Sequence, residues 1–225
     1  MSTTVDPAAA SGRRERNRRG QGGLLRTDIV TAAAALLDET GTEQAVTLRA
    51  VARRVGIAAP SIYAHFPDRH AILLAVVQDA FAELADVLRA AARETDAVAR
   101  LRAACTAYLD FAADRPQRYR VMFGGLWNAG EALDAAAVSA LEVTELGQDA
   151  LDVLVTALEA CVAAGRSSST DTAADAIALW LGLHGLAHQR AVTAAFPWPP
   201  DITERLITSL GHLAQPTIRS GPTTC

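Results

Sequence analysis

Side chains that form hydrogen bonds to phosphates or base edges are concentrated in one short segment of the N-terminal third. Tyr63 and His65 bring a phenol and an imidazole close together in sequence, and Ser61 supplies a hydroxyl just before them. Arg49 and Arg69 flank the segment with guanidinium groups, which bind phosphate oxygens through a planar fork of donors. Phosphate contacts position a protein on a nucleic acid, and contacts to base edges select the sequence. The segment is therefore predicted to form a nucleic-acid contact surface.

Two short helices separated by Gly56 would position these groups. Leu48–Val55 places its apolar residues on one face and its arginines on the other, and Thr47 stands where a helix-capping hydroxyl belongs. Gly56 permits a sharp turn, and Pro60 suits the first turn of the second helix. This order predicts a helix-turn-helix whose second helix enters a DNA major groove about 12 Å wide. The predicted contact residues are Thr47, Arg49, Ala59, Pro60, Ser61, Tyr63, His65 and Arg69.

The segment 27–73 resembles the TetR family of bacterial repressors in both residue type and spacing. The resemblance implies a homodimer that reads a palindromic operator in double-stranded DNA. It also implies backbone contacts from Tyr63 and His65, and a core position for Phe66. The matching residues are Thr27-Asp28-Ile29-Val30, Gly41, Val46 through Ala52, Val55-Gly56-Ile57, Ser61 through Arg69, and Ile72-Leu73.

Four positions depart from the family pattern and affect how bases would be read. Ala58 stands where a serine often caps the second helix, and Ala59 stands where a base-reading or basic residue is common. Arg69 replaces the usual lysine, and His70 replaces the usual acid. Fewer side chains remain to select bases. Readout of DNA shape, or contacts from an arginine-rich arm, is therefore expected to contribute more to the sequence selectivity of this chain.

The charge of the chain is divided between a basic end and an acidic body. Residues 1–70 carry a net charge of +3 and residues 71–225 a net charge of −7, which together give −4. A polyanion is thus expected to meet the N-terminal part. Residues 1–23, with the run Arg13 to Arg19, contain too few large apolar residues to fold and are predicted to be a disordered arm. Either the arm contacts DNA phosphates or a minor groove, or it is only a solvated charge run.

Helical periodicity extends from Leu24 to the C-terminal tail, and alternating strand-like runs are missing, so the predicted fold class is all-α. The predicted domains after the arm are a helix-turn-helix domain at 24–70, a helical effector-binding and dimerisation domain at 71–214, and a flexible tail at 215–225. Beyond the short helices, the predicted helices span about 69–94, 96–114, 116–123, 132–164, 172–195 and 201–214.

Composition also limits the setting in which the chain works. No apolar run approaches the ~20 residues that a membrane-spanning helix needs. Cys105, Cys161 and Cys225 are widely spaced and odd in number, which argues against a disulfide framework or a zinc knuckle. We therefore expect a cytoplasmic protein with no membrane partner and no cofactor, with two buried thiols and a third in a loose tail.

The C-terminal body carries a second resemblance. The segment 179–188 contains Trp180, His184 and Gly185, and it looks like a C-terminal subclass of the family that is named for these three residue types. The stretch 110–123 also looks like that subclass. By family resemblance, the last two long helices pair with their copies as a four-helix dimer interface.

The helix at 172–195 contains two glycines and two histidines whose roles differ. Gly182 and Gly185 would let another helix approach closely, which suits either a core helix or a dimer seam. The spacing of His184 and His188 is open to three interpretations: a core or interface role, a polar contact to an effector, or a shared metal. No third metal ligand is evident nearby, so no metal site is predicted.

An effector site is expected among the middle helices of the body. Aromatic, Met and Cys side chains at helical spacing are the candidates, although such residues are also ordinary core. Few charged residues fall at these inward positions, which favours a small apolar effector, aromatic or lipid-like. The candidate pocket residues are Cys105, Tyr108, Phe111, Met122, Phe123, Trp127, Cys161, Trp180 and His184.

The sequence predicts a ligand-responsive repressor, and two alternatives remain open. The reader helix of each copy is the second helix of its helix-turn-helix. A ligand that binds more tightly to a body conformation in which the two reader helices no longer fit the DNA would lower DNA affinity by the coupling free energy. The first alternative is an effector-independent or activating DNA-binding protein. The second is a small-molecule enzyme, which lacks support because no Gly-x-Ser-x-Gly elbow, phosphate-binding glycine loop or His-Glu-x-x-His pair occurs.

Overall fold

A computed structural model describes residues 22–124, 130, 133 and 139–214. Regular structure in these ranges is helical, apart from an isolated bridge between Ser167 and Leu213. The all-α prediction is therefore confirmed. Within the same ranges, no helix is long and apolar enough to cross a membrane. The predicted tail and all but the last two residues of the predicted arm lie outside the described residues.

The first two α-helices confirm the predicted turn between short elements. α1 (Gly22–Thr40) begins two residues before its predicted start, and α2 (Leu48–Val55) has its predicted bounds. The Thr47 hydroxyl accepts a hydrogen bond from the Ala50 amide at 3.1 Å, which caps α2. Gly56 then takes a left-handed conformation with φ 78°, which residues with a Cβ rarely adopt.

The second short helix is a 3₁₀ helix, Ala59–Ala64, and not the predicted α-helix. Its last bond runs from the His65 amide to the Ile62 carbonyl at 2.8 Å. Ala58, at the N-cap position, has no side chain that could cap an α-helix, which favours the tighter winding. The loss of the cap predicted at Ala58 is thus confirmed.

Three helices lead from this N-terminal part into the body. α3 spans Arg69–Ala91, α4 spans Ala97–Asp114 and α5 spans Pro116–Phe123. The carboxylates of Asp68 and Asp96 cap α3 and α4 by accepting from backbone amides at 2.9 and 2.8 Å. α5 has its predicted bounds, and α3 and α4 differ from theirs by three residues or fewer.

The predicted helix at 132–164 is wrong as a single element. Its described part contains α6 (Ala140–Thr144) and α7 (Gln148–Ala163), which are separated at Gly147. Gly147 has φ 78°, and a left-handed residue interrupts the hydrogen-bond ladder of an α-helix. Ser139 begins α6 with a reciprocal capping box.

α8 (Thr172–Val192) and α9 (Ile202–Leu210) complete the described fold. Both end three or four residues before their predicted ends. The Thr193 hydroxyl donates to the carbonyl of Gln189 at 2.6 Å and closes the last turn of α8. After α9, His212 takes a left-handed conformation with φ 49°, so the helix does not continue.

The two glycines of α8 have different surroundings within one chain. At Gly182 an added Cβ would lie 2.7 Å from Leu210 Cδ1, so the close helix approach predicted there is confirmed. At Gly185 such an atom would meet nothing within 4 Å. Only Gly182 is therefore needed for the contact between α8 and α9.

Two hydrophobic cores form, and α3 contributes to both. Ile72 and Val76, in its first half, pack with Phe66 in the N-terminal core, which α1 and α2 share. Leu84 and Leu88, in its second half, are buried in the body core with residues of α4, α7 and α8. One continuous helix therefore connects the helix-turn-helix to the body.

The two glycines with φ 78° offer a matched test of this fold. At Gly56 an added Cβ meets nothing within 4 Å, whereas at Gly147 it would lie 2.8 Å from Phe81 Cε1. We expect Gly56→Ala to lower the free energy of unfolding by about 1 kcal/mol, the strain of a left-handed residue. Gly147→Ala should cost about 1–3 kcal/mol more, because the Phe81 ring must move. Chemical denaturation measures both values, and equal losses would contradict the contact at Phe81.

Candidate nucleic-acid interface and internal cavity

The 3₁₀ helix Ala59–Ala64 is anchored on one side and open on the other. Ile62, and Phe66 just after the helix, are buried in the N-terminal core, so the core position predicted for Phe66 is confirmed. Tyr63 is 62% exposed and presents its phenol to solvent. The outer side also includes exposed Pro60, Ser61 and Ala64, with His65 half-buried beside them.

α2 supplies the basic part of the same surface. Arg49 and Arg53 lie one turn apart, are exposed, and have no ion pair within the described part of the chain. Arg54 instead donates to both carboxylate oxygens of Glu39, at 2.7 and 2.6 Å, and so joins α2 to α1. The predicted contact set includes Arg49 but omits Arg53, although the four-residue spacing in a helix is the signal that links them.

Three predicted contact residues are engaged inside the protein, and one of them is Thr47, whose hydroxyl caps α2. Arg69 lies 3.5 Å from a carboxylate oxygen of Glu43 and 3.5 Å from the Glu43 carbonyl oxygen, in the 3₁₀ helix Glu43–Ala45. Its guanidinium thus fastens the segment before α2 to the start of α3 and is not free. Ala59 is half-buried against the N-terminal core, so its predicted exposure is wrong.

A basic side chain that the sequence did not indicate also lies next to this surface. The Arg26 guanidinium of α1 stands over the Phe66 ring, with Cζ 4.6 Å from the ring centroid. Arg26 is far from Phe66 in sequence, and only the packing of α1 against the N-terminal core brings the two together. No local pattern could have predicted this contact.

The body contains a cavity of about 260 Å³ bounded by α3, α4, α5, α7 and α8. This volume is far above the roughly 10–15 Å³ that a cavity needs to hold one water molecule, so it has room for a small ligand. Four aromatic side chains, Phe81, Tyr108, Phe123 and Trp180, contribute to its wall. The other lining residues are mainly apolar: Leu84, Leu88, Leu146, Gly147, Gln148, Ala150, Leu151, Leu154 and Ile177.

Only part of the predicted pocket lines this cavity. Tyr108, Phe123 and Trp180 do so, and Trp127 lies outside the described residues. The aromatic and sulfur-containing residues at the remaining positions pack in or against the body core. The prediction included them because helical spacing identifies a buried face and does not separate core from cavity wall. The predicted residues that do not line the cavity are Cys105, Phe111, Met122, Cys161 and His184. The lining residues from α3, absent from the prediction, are Phe81, Leu84 and Leu88.

A set of hydrogen bonds crosses the core beside the cavity. The Tyr119 hydroxyl lies 2.6 Å from His184 Nδ1 and 3.0 Å from the Tyr108 hydroxyl. Both tyrosines are buried, and His184 is half-buried beside the rings of Phe123 and Trp180. Because Tyr108 also lines the cavity, the network connects the cavity wall to α5 and α8.

Burial sets the protonation of this network. It lowers the pKa of His184, with a smaller contribution from His188, so the imidazole is neutral at pH 7. Burial raises the pKa of Tyr108 to about 12 and also raises the pKa of Tyr119. The network therefore contains neutral groups that satisfy one another, and it places no net charge in the core.

The two histidines of α8 do not act as a pair. His184 is engaged with Tyr119, whereas His188 is exposed. Among the described residues, no group of three or more His, Cys, Asp or Glu side chains is placed to hold a metal ion. The thiols of Cys105 and Cys161 are buried, and burial raises the pKa of Cys105 to about 12. The two buried thiols expected from the sequence are confirmed.

α5 touches both cores with side chains that are close in sequence. Tyr119 lies in the body core and Phe123 lines the cavity, whereas Val121 is buried in the N-terminal core. Arg120 adds to the second contact, because its Nη2 donates to the Gly41 carbonyl at 3.3 Å, just beyond α1. A displacement of Phe123 would therefore move a helix that is packed on the helix-turn-helix.

These features define a helix-turn-helix DNA-binding regulator with a helical body. Residues 29–76 match the family model described as "Bacterial regulatory proteins, tetR family". Residues 101–212 match the model described as "Tetracyclin repressor-like, C-terminal domain". The chain belongs to the TetR family of bacterial transcription regulators. The finer resemblance to the Trp-His-Gly subclass stays a prediction.

Similar proteins agree with this assignment. A solved structure of a protein of unknown function from Rhodococcus sp. RHA1 is 28% identical, with a TM-score of 0.70 over 88% of this chain and 100% of that chain. A TetR family transcription regulator from Marinobacter aquaeolei VT8, 15% identical, has the same fold, with a TM-score of 0.59 over 86% of this chain and 97% of that one. A curated relative, the HTH-type transcriptional activator FasR of Mycolicibacterium smegmatis, is 34% identical over 99 residues. The match spans 44% of this chain and 45% of that relative, less than half the length of either.

Substitution of the central tyrosine tests the buried network. Tyr119→Phe would leave the Tyr108 hydroxyl and His184 Nδ1 without their shared partner, and we expect a loss of about 1–3 kcal/mol in the free energy of unfolding. Tyr63→Phe removes the same hydroxyl at an exposed site and should change stability by less than about 0.5 kcal/mol. Urea denaturation of both variants gives the comparison. Similar values for the two would show that the network contributes nothing to stability.

Proposed function

We propose that this regulator is a homodimeric repressor that a small apolar ligand releases from a palindromic operator. The observation that carries the proposal is the position of α5, with Phe123 in the cavity wall and Val121 in the core of the helix-turn-helix. A ligand that fits best when α5 is displaced would favour a body conformation in which the reader helices are misplaced. Operator affinity then falls by the same coupling free energy.

The exposed side of the 3₁₀ helix would enter the major groove of the operator. Tyr63 and His65 would bond phosphate oxygens, and Ser61 would reach a base edge. Arg49 and Arg53 would bind the adjacent backbone, because their guanidinium groups are exposed and have no ion pair within the described chain. With one hydroxyl for direct base contact, sequence-dependent DNA shape would supply much of the selectivity.

A second copy of the chain is the proposed occupant of an apolar row on α8. Ile177, Leu181 and Val192 are 43%, 55% and 61% exposed, and they follow helical spacing with exposed Gly185 and His188 between them. Pairing of this row with its copy removes apolar surface from water, at about 25 cal/mol per Å². A dimer would also hold the two reader helices about 34–36 Å apart, the spacing of successive major grooves on one DNA face.

An activator is the second candidate function, because the relative FasR is named a transcriptional activator. The same DNA-binding surface serves either role, and the position of the operator decides between them. A repressor binds over the promoter elements, whereas an activator binds upstream of them. Transcription in vitro from the bound promoter, with and without the protein, distinguishes the two.

Binding to the DNA upstream of the chain's own gene tests the proposed function. We expect selective binding at moderate salt, a footprint over the promoter, and weaker binding once a ligand occupies the cavity. Lack of any sequence-selective binding would overturn the proposal. A footprint upstream of the promoter, with increased transcription, would support the activator instead.

The contribution of Arg49 can be measured through salt dependence. Arg49→Ala should weaken binding to all DNA sequences alike and reduce the slope of log affinity against log salt by about 0.9, the effect of one lost phosphate contact. Arg93→Ala is the matched control, since Arg93 is exposed in the loop after α3 and belongs neither to α2 nor to the 3₁₀ helix Ala59–Ala64. An unchanged slope in the Arg49 variant would remove this residue from the contact set.

The apolar row on α8 can be tested by placing a charge in its centre. Leu181→Asp should convert the dimer to monomers at micromolar concentration, because a carboxylate would be buried in an apolar interface. Leu141→Asp changes an exposed leucine on α6, 65% exposed, and should leave the assembly unchanged. Sedimentation analysis reports the mass of each variant. A dimeric Leu181 variant, or monomeric protein without any substitution, would contradict the proposed interface.

A further inference from the structure

An acidic surface depression lies next to the aromatic cavity. The depression and the cavity share Phe81, Leu146 and Gly147, so one ring and one turn of chain separate them. At Gly147 the absence of a side chain leaves room for the Phe81 ring, since an added Cβ would lie 2.8 Å from Phe81 Cε1. The remaining residues of the depression are Gln78, Ala82 and the three acids Glu142, Glu145 and Asp149.

The carboxylates of this depression have few cationic partners among the described residues. Hydrogen bonds from the start of α6 hold the pKa of Glu142 below its usual value. Glu145 has no ion pair within the described residues. Arg89 contacts Asp149 at 3.0 Å, but it also contacts Asp86 at 2.9 Å, so one guanidinium serves two acids. The described linings of both the depression and the cavity contain no arginine or histidine.

The cavity provides rings that can hold a positive charge without an acid inside it. Phe123 lies centrally, with its centroid 5.5 Å from that of Phe81 and 6.1 Å from that of Trp180, and Tyr108 completes the set. The faces of aromatic rings attract a cation within about 6 Å, and the attraction is strongest where water is excluded. A site of this kind suits an ammonium group on an apolar body.

We propose that the ligand of this cavity is a small apolar cation of the aromatic quaternary ammonium class, which enters past the acidic depression. The inference deepens the proposed function and rests on it, because it names the chemical class of the effector. An apolar carboxylate of the same size would approach Glu142 and Glu145 and find no arginine in the described lining. The charge of the ligand is therefore the property that separates this proposal from a fatty-acid type of effector.

Calorimetric titration of the full chain with two probes of similar size tests the charge preference. Benzyltrimethylammonium and 4-phenylbutyrate each carry one phenyl ring and differ in the sign of their charge. We expect the cation to bind at least tenfold more tightly than the carboxylate, and added salt to reduce the difference through screening. Equal affinities, tighter binding of the carboxylate, or no binding of either probe would overturn the proposal.

Substitution of two glutamates in the depression tests whether they cause the preference for the cation over the carboxylate. Glu142→Gln combined with Glu145→Gln should weaken binding of the cation roughly three- to tenfold, which is the scale of exposed charge pairs, and should not weaken binding of the carboxylate. Glutamine at position 142 keeps the capping box of α6, so the fold is preserved. Glu159→Gln, at an exposed site near the other end of α7, changes the net charge without touching the depression and serves as the control.

Operator binding by the unliganded chain, measured in parallel, separates this inference from the proposed function. A chain that binds its operator but has no preference for the cation contradicts the inference alone. A chain that binds the cation selectively but has no sequence-selective DNA binding contradicts the proposed function alone.

Discussion

The apolar side chains of α3 are divided between two cores, with Ile72 and Val76 toward the helix-turn-helix and Leu84 and Leu88 toward the body. Each such side chain contributes about 1.5–3 kcal/mol when it leaves water, and a whole domain has only about 5–15 kcal/mol of net stability. Neither half of α3 can separate from its core without losing a large share of that stability. Under the proposed function, a change in the body would reach the 3₁₀ helix Ala59–Ala64 through this shared helix.

The polar network of Tyr108, Tyr119 and His184 constrains how the body packs around this rod. Buried hydroxyl and imidazole groups are costly when unpaired, so α4, α5 and α8 must keep their relative positions for the bonds at 2.6 and 3.0 Å to persist. Purely apolar contacts would allow the three helices to shift along one another, whereas these hydrogen bonds form in one relative position of the helices. Since Tyr108 also lines the cavity, a ligand bound there would contact one member of this network.

Much of the fold follows from local patterns, and much of the ligand site does not. The cap at Thr47, the turn at Gly56 and the anchor at Phe66 were predicted because each depends on residue type and near-neighbour spacing. The break at Gly147 escaped prediction, since apolar periodicity continues across it and glycine in a helical pattern is only a weak signal. Cys105 is a predicted pocket residue but lies in the body core and does not line the cavity. Periodicity identifies a buried face and cannot show where that face borders a cavity.

The energetic demand on a releasing ligand is modest for a site built in this way. A hundredfold loss of operator affinity requires the ligand to prefer the displaced body by about 2.8 kcal/mol, twice the value of a tenfold change. At about 25 cal/mol per Å², this corresponds to a difference of roughly 110 Å² of apolar contact between the two conformations. One aromatic side chain buries about 150–250 Å², so repositioning of Phe123 alone can supply the difference. Because Phe123 and Val121 belong to one eight-residue helix, the proposed repositioning would disturb the N-terminal core directly, without a long pathway through the body.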